Sequence, residues 1–496
     1  MKKEIGISFL FMLIISILGF LQNKYFVQYM GMEILGIMKL FSQLLAYINI
    51  IEMGVGGASA YALYKPLADK DYNKTSIILY TMESIYNKIA MGIFLLGIFF
   101  IPLMKFFIEI PSSFNTIYLY WLLYISNTAI TYIFIKYQIL FMANQEYLYV
   151  KSIQSISTIL FKILQIIFII KYHSFYIYIL LLIGDTLLQS LFFYFHYKKK
   201  YSYIKATKEK FNGIKKDIKN IFWHRIGGLI VFNTDLILIS KFVSLEAVGI
   251  YASYQMILQI IDTIVSIIKN VLNPKIGKYI AQNNKETIYS FYKELNILFF
   301  LLAIFFSNTT YILINKFVEL WLGKEFLLSS LTTKLIFINL FINIIRKNLD
   351  MFKDNSGFFD DIKSPVFEST INLIISIVLG RKIGLDGIII GTIVSNVMMV
   401  LIYKPILVFE RCFNKNIKEY LKLYASYLFL VVISIFSLQL LISLLKFMDV
   451  NTWLEWIIYS VIISFISILI LIIIFFINKE YREIVNKYLI IKIYKK

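Results

Sequence analysis

The chain is poor in the residues that build disulfides, metal sites and nucleotide-driven motors. Its 496 residues include one cysteine, Cys412, which excludes an internal disulfide and a cysteine-based metal site. The three histidines, His173, His196 and His224, lack metal-ligand spacing. No G-x-x-x-x-G-K-[S/T] sequence is present, which excludes an ATP-driven motor within the chain. We therefore expect no cofactor and no bound metal.

Charged residues are also scarce, at 16%, whereas residues of the AVILMFWYC class make up 59% of the chain. A soluble protein of this length would carry more charge. A bilayer-spanning helix needs about 20 apolar residues, so the apolar residues suffice for roughly fourteen spans. The apolar runs are continuous rather than alternating, which favours helices over a closed barrel. The first run, residues 5–21, is too long for a signal peptide and predicts an uncleaved helix.

The hydropathy pattern predicts an all-α polytopic membrane protein with about fourteen transmembrane helices. The predicted spans are 5–27, 35–63, 86–108, 117–141, 152–171, 176–197, 221–243, 247–273, 293–315, 331–349, 366–382, 386–409, 421–446 and 454–477. The net charge of +20 could suggest a nucleic-acid partner, but Lys and Arg concentrate in alternate loops between these spans. By the positive-inside rule, this alternation places both termini in the cytoplasm and removes the reason to expect nucleic acid.

A weak internal repeat indicates that the chain is duplicated. Shifting the sequence by 213 residues places the Glu33-x-x-Gly36 pattern on Glu246-x-x-Gly249, and both segments pass from an apolar run to a basic exit. Duplicated membrane units are typical of transporters built from two similar halves.

The repeat and the polar segments predict four parts. These are an N-terminal six-helix bundle at 1–197, a basic cytoplasmic linker at 198–220, a second six-helix bundle at 221–410, and a terminal helix pair with a basic tail at 411–496. The linker could dock to anionic lipid or to a partner enzyme, or could simply be solvated.

Six segments of the chain carry a family resemblance. They are LLAYINIIEMGVGGASAYALYKPLADKDYNK, NTDLILISKFVSLEAVGIYASYQMI, NPKIGKYIAQNNKETIYSFYKELN, FVELWLGKEFLLS, KDNSGFFDDIKSPVFESTINLIISIVLGRKIGLDGIIIGTIVSN and KPILVFERCF. Together they resemble the bacterial polysaccharide flippases, of the O-antigen and capsule type, within the multidrug/oligosaccharidyl-lipid/polysaccharide exporter superfamily. The resemblance extends to about residue 425, and the last two helices match only in hydrophobicity.

The resemblance implies that the chain moves undecaprenyl-pyrophosphate-linked oligosaccharide units from the inner to the outer leaflet of the bacterial plasma membrane by alternating access. The expected partners are this lipid-linked substrate, membrane lipids and polysaccharide-assembly proteins, and we expect a monomer. The resemblance does not identify the sugar.

Charged residues within spans are costly and are therefore candidate functional groups. A sugar pyrophosphate needs cations for its phosphates and polar groups for its sugars. The candidate substrate-binding residues are Lys24, Lys39, Arg225, Arg346, Asn49 and Asn233. The alternative is that the cations near helix ends extend to lipid headgroups.

A second set of intramembrane charges could couple transport to an ion gradient or could hold helices together. These residues are Glu52, Asp235, Asp262 and Lys162. Glu52 is the most deeply placed acid, and it could carry a proton or form an ion pair with Lys39 or Lys162. The coupling ion is not readable from the sequence.

Other function classes fit the sequence less well. A membrane glycan polymerase or ligase would need a large external loop with catalytic Arg or His, but the longest predicted external loop is only about 316–330. We therefore do not expect an enzyme. A multidrug exporter of the same superfamily would need acidic sites for cationic drugs, whereas cations dominate the candidates here. A lipid II-type exporter shares the predicted fold and remains an alternative.

Overall fold

The computed structural model describes residues 2–52, 55–104, 116–204, 207–211, 234–358, 363–444, 450–477 and 481–483. Within these ranges the regular structure is entirely helical. The chain forms two compact units, Met1–Gly249 and Ile250–Lys496, which we call the first and second units.

The first unit is a bundle of long helices. Its helices are α1 Lys2–Met30, α2 Met32–Ile48, α3 Val55–Ala68, α4 Tyr72–Phe100, α5 Ile117–Ala143, α6 Tyr147–Tyr172, α7 Phe175–Lys200 and α8 Asp235–Phe242. Helix α1 packs against α6, α4 packs against α5, and α7 packs against both α5 and α6. The first turn of α9, Leu245–Gln282, also belongs to this unit.

The span predicted over 35–63 is not one continuous helix. Helix α2 ends at Ile48, a 3₁₀ turn covers Asn49–Glu52, and α3 begins at Val55. The Glu52 carboxylate accepts a hydrogen bond from the Gly56 N–H at 3.2 Å, so it satisfies a donor that the first turn of α3 leaves without a helical partner. The prediction of one span over 35–63 missed this break, because a single acid within an apolar run does not reveal that its side chain caps a new helix.

The second unit contains most of α9 and six further helices. These are α10 Lys285–Trp321, α11 Ser330–Asn355, α12 Lys363–Asn396, α13 Lys404–Phe413, α14 Ile417–Leu444 and α15 Trp453–Phe475. Helix α10 packs against α11 and α15, and a π-helical segment, Val397–Tyr403, leads from α12 into α13.

Helix α12 is sharply kinked at Ile383 and Gly384, where Gly384 has φ of 61°. The kink falls between the predicted spans 366–382 and 386–409. The two arms pack so closely that a Cβ on Gly387 would lie 2.3 Å from the Leu379 backbone. Only glycine permits both the positive φ and the close approach without strain.

Ten of the described helical segments are long and apolar enough to cross a membrane. Together with the large apolar side chains that remain exposed on their surfaces, this makes the chain a multi-pass membrane protein. The exact count of fourteen spans and the cytoplasmic location of both termini stay predictions.

The first residues of the predicted linker lie against the first unit. Tyr201 is buried, and the Tyr203 ring lies 4.4 Å from that of Tyr72. The Phe211 N–H donates to Thr81 Oγ1 at 2.8 Å. This part of the linker is therefore packed rather than simply solvated. The four-part division of the chain stays a prediction, since the rest of the linker lies outside the described residues.

Candidate functional site

A chain of buried amides holds a lysine within the first unit. Lys162, in the middle of α6, donates from Nζ to Oε1 of Gln22 on α1 at 2.6 Å. Gln22 in turn donates from Nε2 to Gln165 Oε1 at 2.6 Å, and Gln165 donates to the Tyr178 carbonyl at 3.3 Å. Both glutamines are almost fully buried. Because each amide is paired, the network fixes the position of the Lys162 ammonium.

Lys39 of α2 lies within electrostatic range of Lys162, so the first unit brings two like charges together. Lys39 is half-buried, and within the described residues it has no hydrogen-bond or ion-pair partner. Two neighbouring lysines repel each other unless an anion lies between or beside them. This region is therefore suited to bind an anionic group.

The nearest acid, Asp185 of α7, does not neutralise both lysines. Its carboxylate accepts hydrogen bonds from Ser157 at 2.5 Å, Thr158 at 3.2 Å and Gln189 at 2.8 Å. Asp185 acts on Lys162 electrostatically but forms no ion pair with it among the described contacts. One hydrogen-bonded carboxylate against two lysines leaves a local excess of positive charge. We call Lys39, Lys162, Gln22, Gln165 and Asp185 the lysine cluster.

Two other predicted binding residues of the first unit also lack partners. Lys24 of α1 is half-buried and has no hydrogen bond or ion pair within the described part of the chain. Asn49 begins the 3₁₀ turn, and its Oδ1 is buried without a described hydrogen-bond donor, as is the Tyr47 hydroxyl. Such groups are costly to leave unsatisfied and are available to a ligand. Their roles as substrate contacts stay predictions.

Among the described contacts, Glu52 forms no ion pair with Lys39 or Lys162, the pairing that the sequence left open. Its Oε1 accepts from the Gly56 N–H and from the Tyr86 hydroxyl, the latter at 3.4 Å. A Cβ on Gly56 would lie 3.1 Å from this oxygen, so the helix start and the carboxylate are in close contact. Glu52 therefore caps α3, and a coupling role stays a prediction.

One further predicted residue of the first unit, Asp235, is described by the structure. Asp235 is the first residue of α8 and lies within electrostatic range of Tyr47. Arg225 and Asn233 lie outside the described residues.

Arg346, the cation predicted to bind substrate in the second unit, contacts two acids and an amide, and its role as a substrate contact stays a prediction. Its Nη1 and Nη2 form a bidentate pair with the Glu368 carboxylate, the Nη2 bond being 3.0 Å, and Nε lies 3.4 Å from Asp350 Oδ2. Nη1 also donates to Asn396 Oδ1 at 3.1 Å, and Lys404 Nζ lies 2.6 Å from Asp350 Oδ1. Two cations thus match two anions in a buried network that holds α11, α12 and α13 together.

Asp262 of α9 forms a simpler pair. Its Oδ1 lies 2.8 Å from Lys347 Nζ of α11, and Lys347 also donates to Ser266 at 3.1 Å. The Asp262 side chain is about half exposed, so this pair is accessible. The geometry fits a structural pair and leaves a coupling role as a prediction.

Several residues in these networks were not selected from the sequence. Gln22 gave only a weak signal, as the first of three polar residues in an otherwise apolar helix. Asp350 and Lys404 lie near the ends of predicted spans, where charged residues are typical of the membrane interface. Their partners could be identified only from the lateral packing of the helices.

Comparison with known proteins gives a consistent result. The family model described as polysaccharide biosynthesis protein matches residues 1–280. No curated protein matches the chain.

Three solved structures share the fold. A lipid II flippase MurJ in the inward closed conformation has a TM-score of 0.69 at 16% identity, covering 98% of this chain and 99% of the other. An inward-facing multidrug resistance MATE family transporter of the MOP superfamily has a TM-score of 0.60 at 12% identity, covering 79% and 94%. A MATE structure in the bent conformation has a TM-score of 0.52 at 13% identity, covering 82% and 95%. These likenesses establish a MurJ- and MATE-like fold.

Proposed function

The chain belongs to the polysaccharide biosynthesis protein family, and from this premise we propose that it is a flippase. Its substrate would be an undecaprenyl-pyrophosphate-linked oligosaccharide, moved from the inner to the outer leaflet of the bacterial plasma membrane by alternating access. The activity is transport, and no covalent bond of the substrate needs to change.

The lysine cluster is the observation that carries this proposal. A pyrophosphate at membrane depth requires cations that are not already paired, because charge in a low-dielectric interior must be compensated. Lys39 and Lys162 provide two positive charges at positions well inside their helices, with a single hydrogen-bonded acid beside them. Each charge-assisted hydrogen bond to phosphate contributes about 1.5–3 kcal/mol.

Polar groups at the end of α2 could meet the sugars. Asn49 Oδ1 and the Tyr47 hydroxyl are buried and lack described partners, so they could exchange hydrogen bonds with hydroxyl groups of a saccharide. Lys24 would add a third cation from α1. Arg346 contributes to stability in this scheme, since its guanidinium is already held by Glu368.

The test replaces the two lysines by glutamine in cells that depend on this chain for their surface glycan. We expect Lys39→Gln and Lys162→Gln each to lower transport roughly tenfold or more, with unchanged membrane abundance. The lipid-linked unit should accumulate on the cytoplasmic leaflet. The matched control is Lys171→Gln, also on α6, because Lys171 lies over the Tyr172 ring at the helix end.

Normal surface glycan in the Lys39→Gln, Lys162→Gln double variant would remove the basis of the proposal. A glycan that reaches the outer face but stays unpolymerised after deletion of the gene would instead indicate a polymerase.

A lipid II-type substrate is the second candidate. The observation that favours it is that the similarity to the MurJ fold extends over 98% of this chain, whereas the MATE similarity covers 79%. Rescue of a strain depleted of its lipid II flippase would support this candidate, and failure of rescue together with loss of the surface glycan would support the first.

A further inference from the structure

The second unit contains a crevice of about 360 Å³ between α10, α11 and α14. It is unrelated to the lysine cluster, and all of its lining residues belong to helices of this unit. Its walls are mainly apolar, and its few polar side chains are unevenly distributed along it.

The polar and apolar side chains are sorted towards opposite ends of the crevice. Helices α10 and α11 are joined by a short connection, so Tyr311 of α10 and Lys334 of α11 lie towards the same end. Ile304 and Phe341, about two turns away along the same helices, lie towards the other end.

Helix α14 follows the same order. Trp456, at the start of α15, donates to the Leu313 carbonyl of α10 at 3.2 Å, which places the end of α14 beside the polar end of the crevice. Gln439 of α14 accordingly lines the polar end, whereas Leu428 lines the apolar end. Three helices thus present the same gradient from polar to apolar.

The polar end carries one positive charge. Lys334 is exposed, and within the described residues it has no ion-pair or hydrogen-bond partner. No acidic residue is among the described residues that line the crevice. Midway along, the Ser307 side chain is buried and its hydroxyl has no described hydrogen-bond partner. The crevice therefore matches an amphiphile with an anionic head and a hydrocarbon chain.

We propose that this crevice binds one anionic glycerophospholipid, with its phosphate on Lys334 and one acyl chain along Phe341 and Leu428. The ammonium–phosphate contact gives the preference for an anionic headgroup, because a charge-assisted hydrogen bond is stronger than a neutral one. Burial of the acyl chain against the apolar walls adds affinity that the headgroup contact alone would not provide. The lipid would wedge between α11 and α14 and stabilise the second unit.

The experiment measures lipid binding to the purified full chain by native mass spectrometry, using phosphatidylglycerol and phosphatidylcholine with identical acyl chains. The wild type should retain one phosphatidylglycerol with several-fold tighter binding than phosphatidylcholine. Lys334→Gln should weaken phosphatidylglycerol binding roughly tenfold and leave phosphatidylcholine unchanged. The control is Lys324→Gln, because Lys324 is largely exposed outside the crevice and pairs with Glu319.

A second variant tests whether the crevice holds the acyl chain of the lipid. Ile338 lines the crevice and is about half exposed, so Ile338→Trp fills space without overpacking a buried core. It should abolish binding of both lipids, whereas Phe436→Trp, an exposed position of α14 outside the lining, should not. Melting temperatures of lipid-free samples confirm that each variant is folded.

Four results would overturn the proposal. Three of them are equal binding of the two lipids by the wild type, an equal effect of the two lysine variants, and undiminished binding by Ile338→Trp. Displacement of phosphatidylglycerol by a lower concentration of undecaprenyl phosphate would also overturn it, since the site would then belong to the isoprenoid carrier. None of these outcomes depends on the flippase assignment, because binding is measured without transport.

Discussion

Gly36 faces the Leu245 carbonyl so closely that a Cβ on Gly36 would lie 1.9 Å from the carbonyl oxygen. The contact is reciprocal, since a Cβ on Gly249 would lie 2.5 Å from the Met32 carbonyl oxygen. All four residues belong to the first unit, where α2 crosses the first turn of α9. Met32 and Leu245 are related by the same 213-residue shift as Gly36 and Gly249. Segments that the predicted repeat relates therefore pack backbone against backbone within the first unit, and a side chain on either glycine would clash there.

The first prediction concerns this crossing. Gly36→Val should destabilise the protein by about 1–3 kcal/mol, because the side chain must displace backbone rather than a flexible neighbour. The measurement is the melting temperature of the purified protein, together with its abundance in membranes. Gly92→Val is the control, because a Cβ there would meet nothing within 4 Å. Equal behaviour of the two variants would show that the close contact is not essential.

The second prediction separates the two roles open to Glu52. Glutamine keeps an acceptor oxygen for the Gly56 N–H, so Glu52→Gln should keep normal membrane abundance. If the carboxylate carries charge or a proton during transport, the same variant should lower transport. Glu52→Ala removes the cap and should cost about 1 kcal/mol of stability as well. Transport and abundance are measured for both. If Glu52→Gln transports normally, the charge of the carboxylate is not needed for transport.

The sequence predicted the positions of most described helices and the division of α12 between residues 382 and 386, because long apolar runs are a local signal. It did not predict the break at Asn49–Glu52, where the signal is one acid within an apolar run. Hydropathy gives the depth of a residue along its helix but not the neighbour that it faces. The pairing of Lys162 with Gln22, and of Arg346 with Glu368, therefore depended on packing that only the structure provides.

The third prediction concerns acid stability. Glu146 lies between α5 and α6 and accepts hydrogen bonds from Asn144 at 3.0 Å and from Tyr201, with His196 at 2.8 Å and Lys200 at 3.1 Å. Burial raises the pKa of the Glu146 carboxyl, but the hydrogen bonds from these four residues outweigh burial and lower the pKa to about 2.

A lowered folded-state pKa contributes stability above the ordinary value of 4.5, and this contribution is lost as pH falls towards about 2. The melting temperature of the wild type should therefore fall across this pH range. Glu146→Gln should start from a lower melting temperature and lose less on acidification. The exposed linker variant Glu209→Gln should follow the wild type. A parallel pH profile of Glu146→Gln and wild type would contradict the prediction.

The fourth prediction decides whether Arg346 holds helices or binds substrate. Glu368 is only 3% exposed, so Glu368→Gln leaves a buried guanidinium short of charge compensation and should cost about 3–5 kcal/mol. Replacing both partners, as in Arg346→Met with Glu368→Met, removes the buried charges together and should recover most of that loss. Melting temperature and transport are measured side by side.

Recovery of both stability and transport in the double variant would assign Arg346 a structural role, because no guanidinium remains to contact a phosphate. Recovery of stability without transport would instead show that the substrate needs this guanidinium, and would restore Arg346 to the binding site that the sequence predicts.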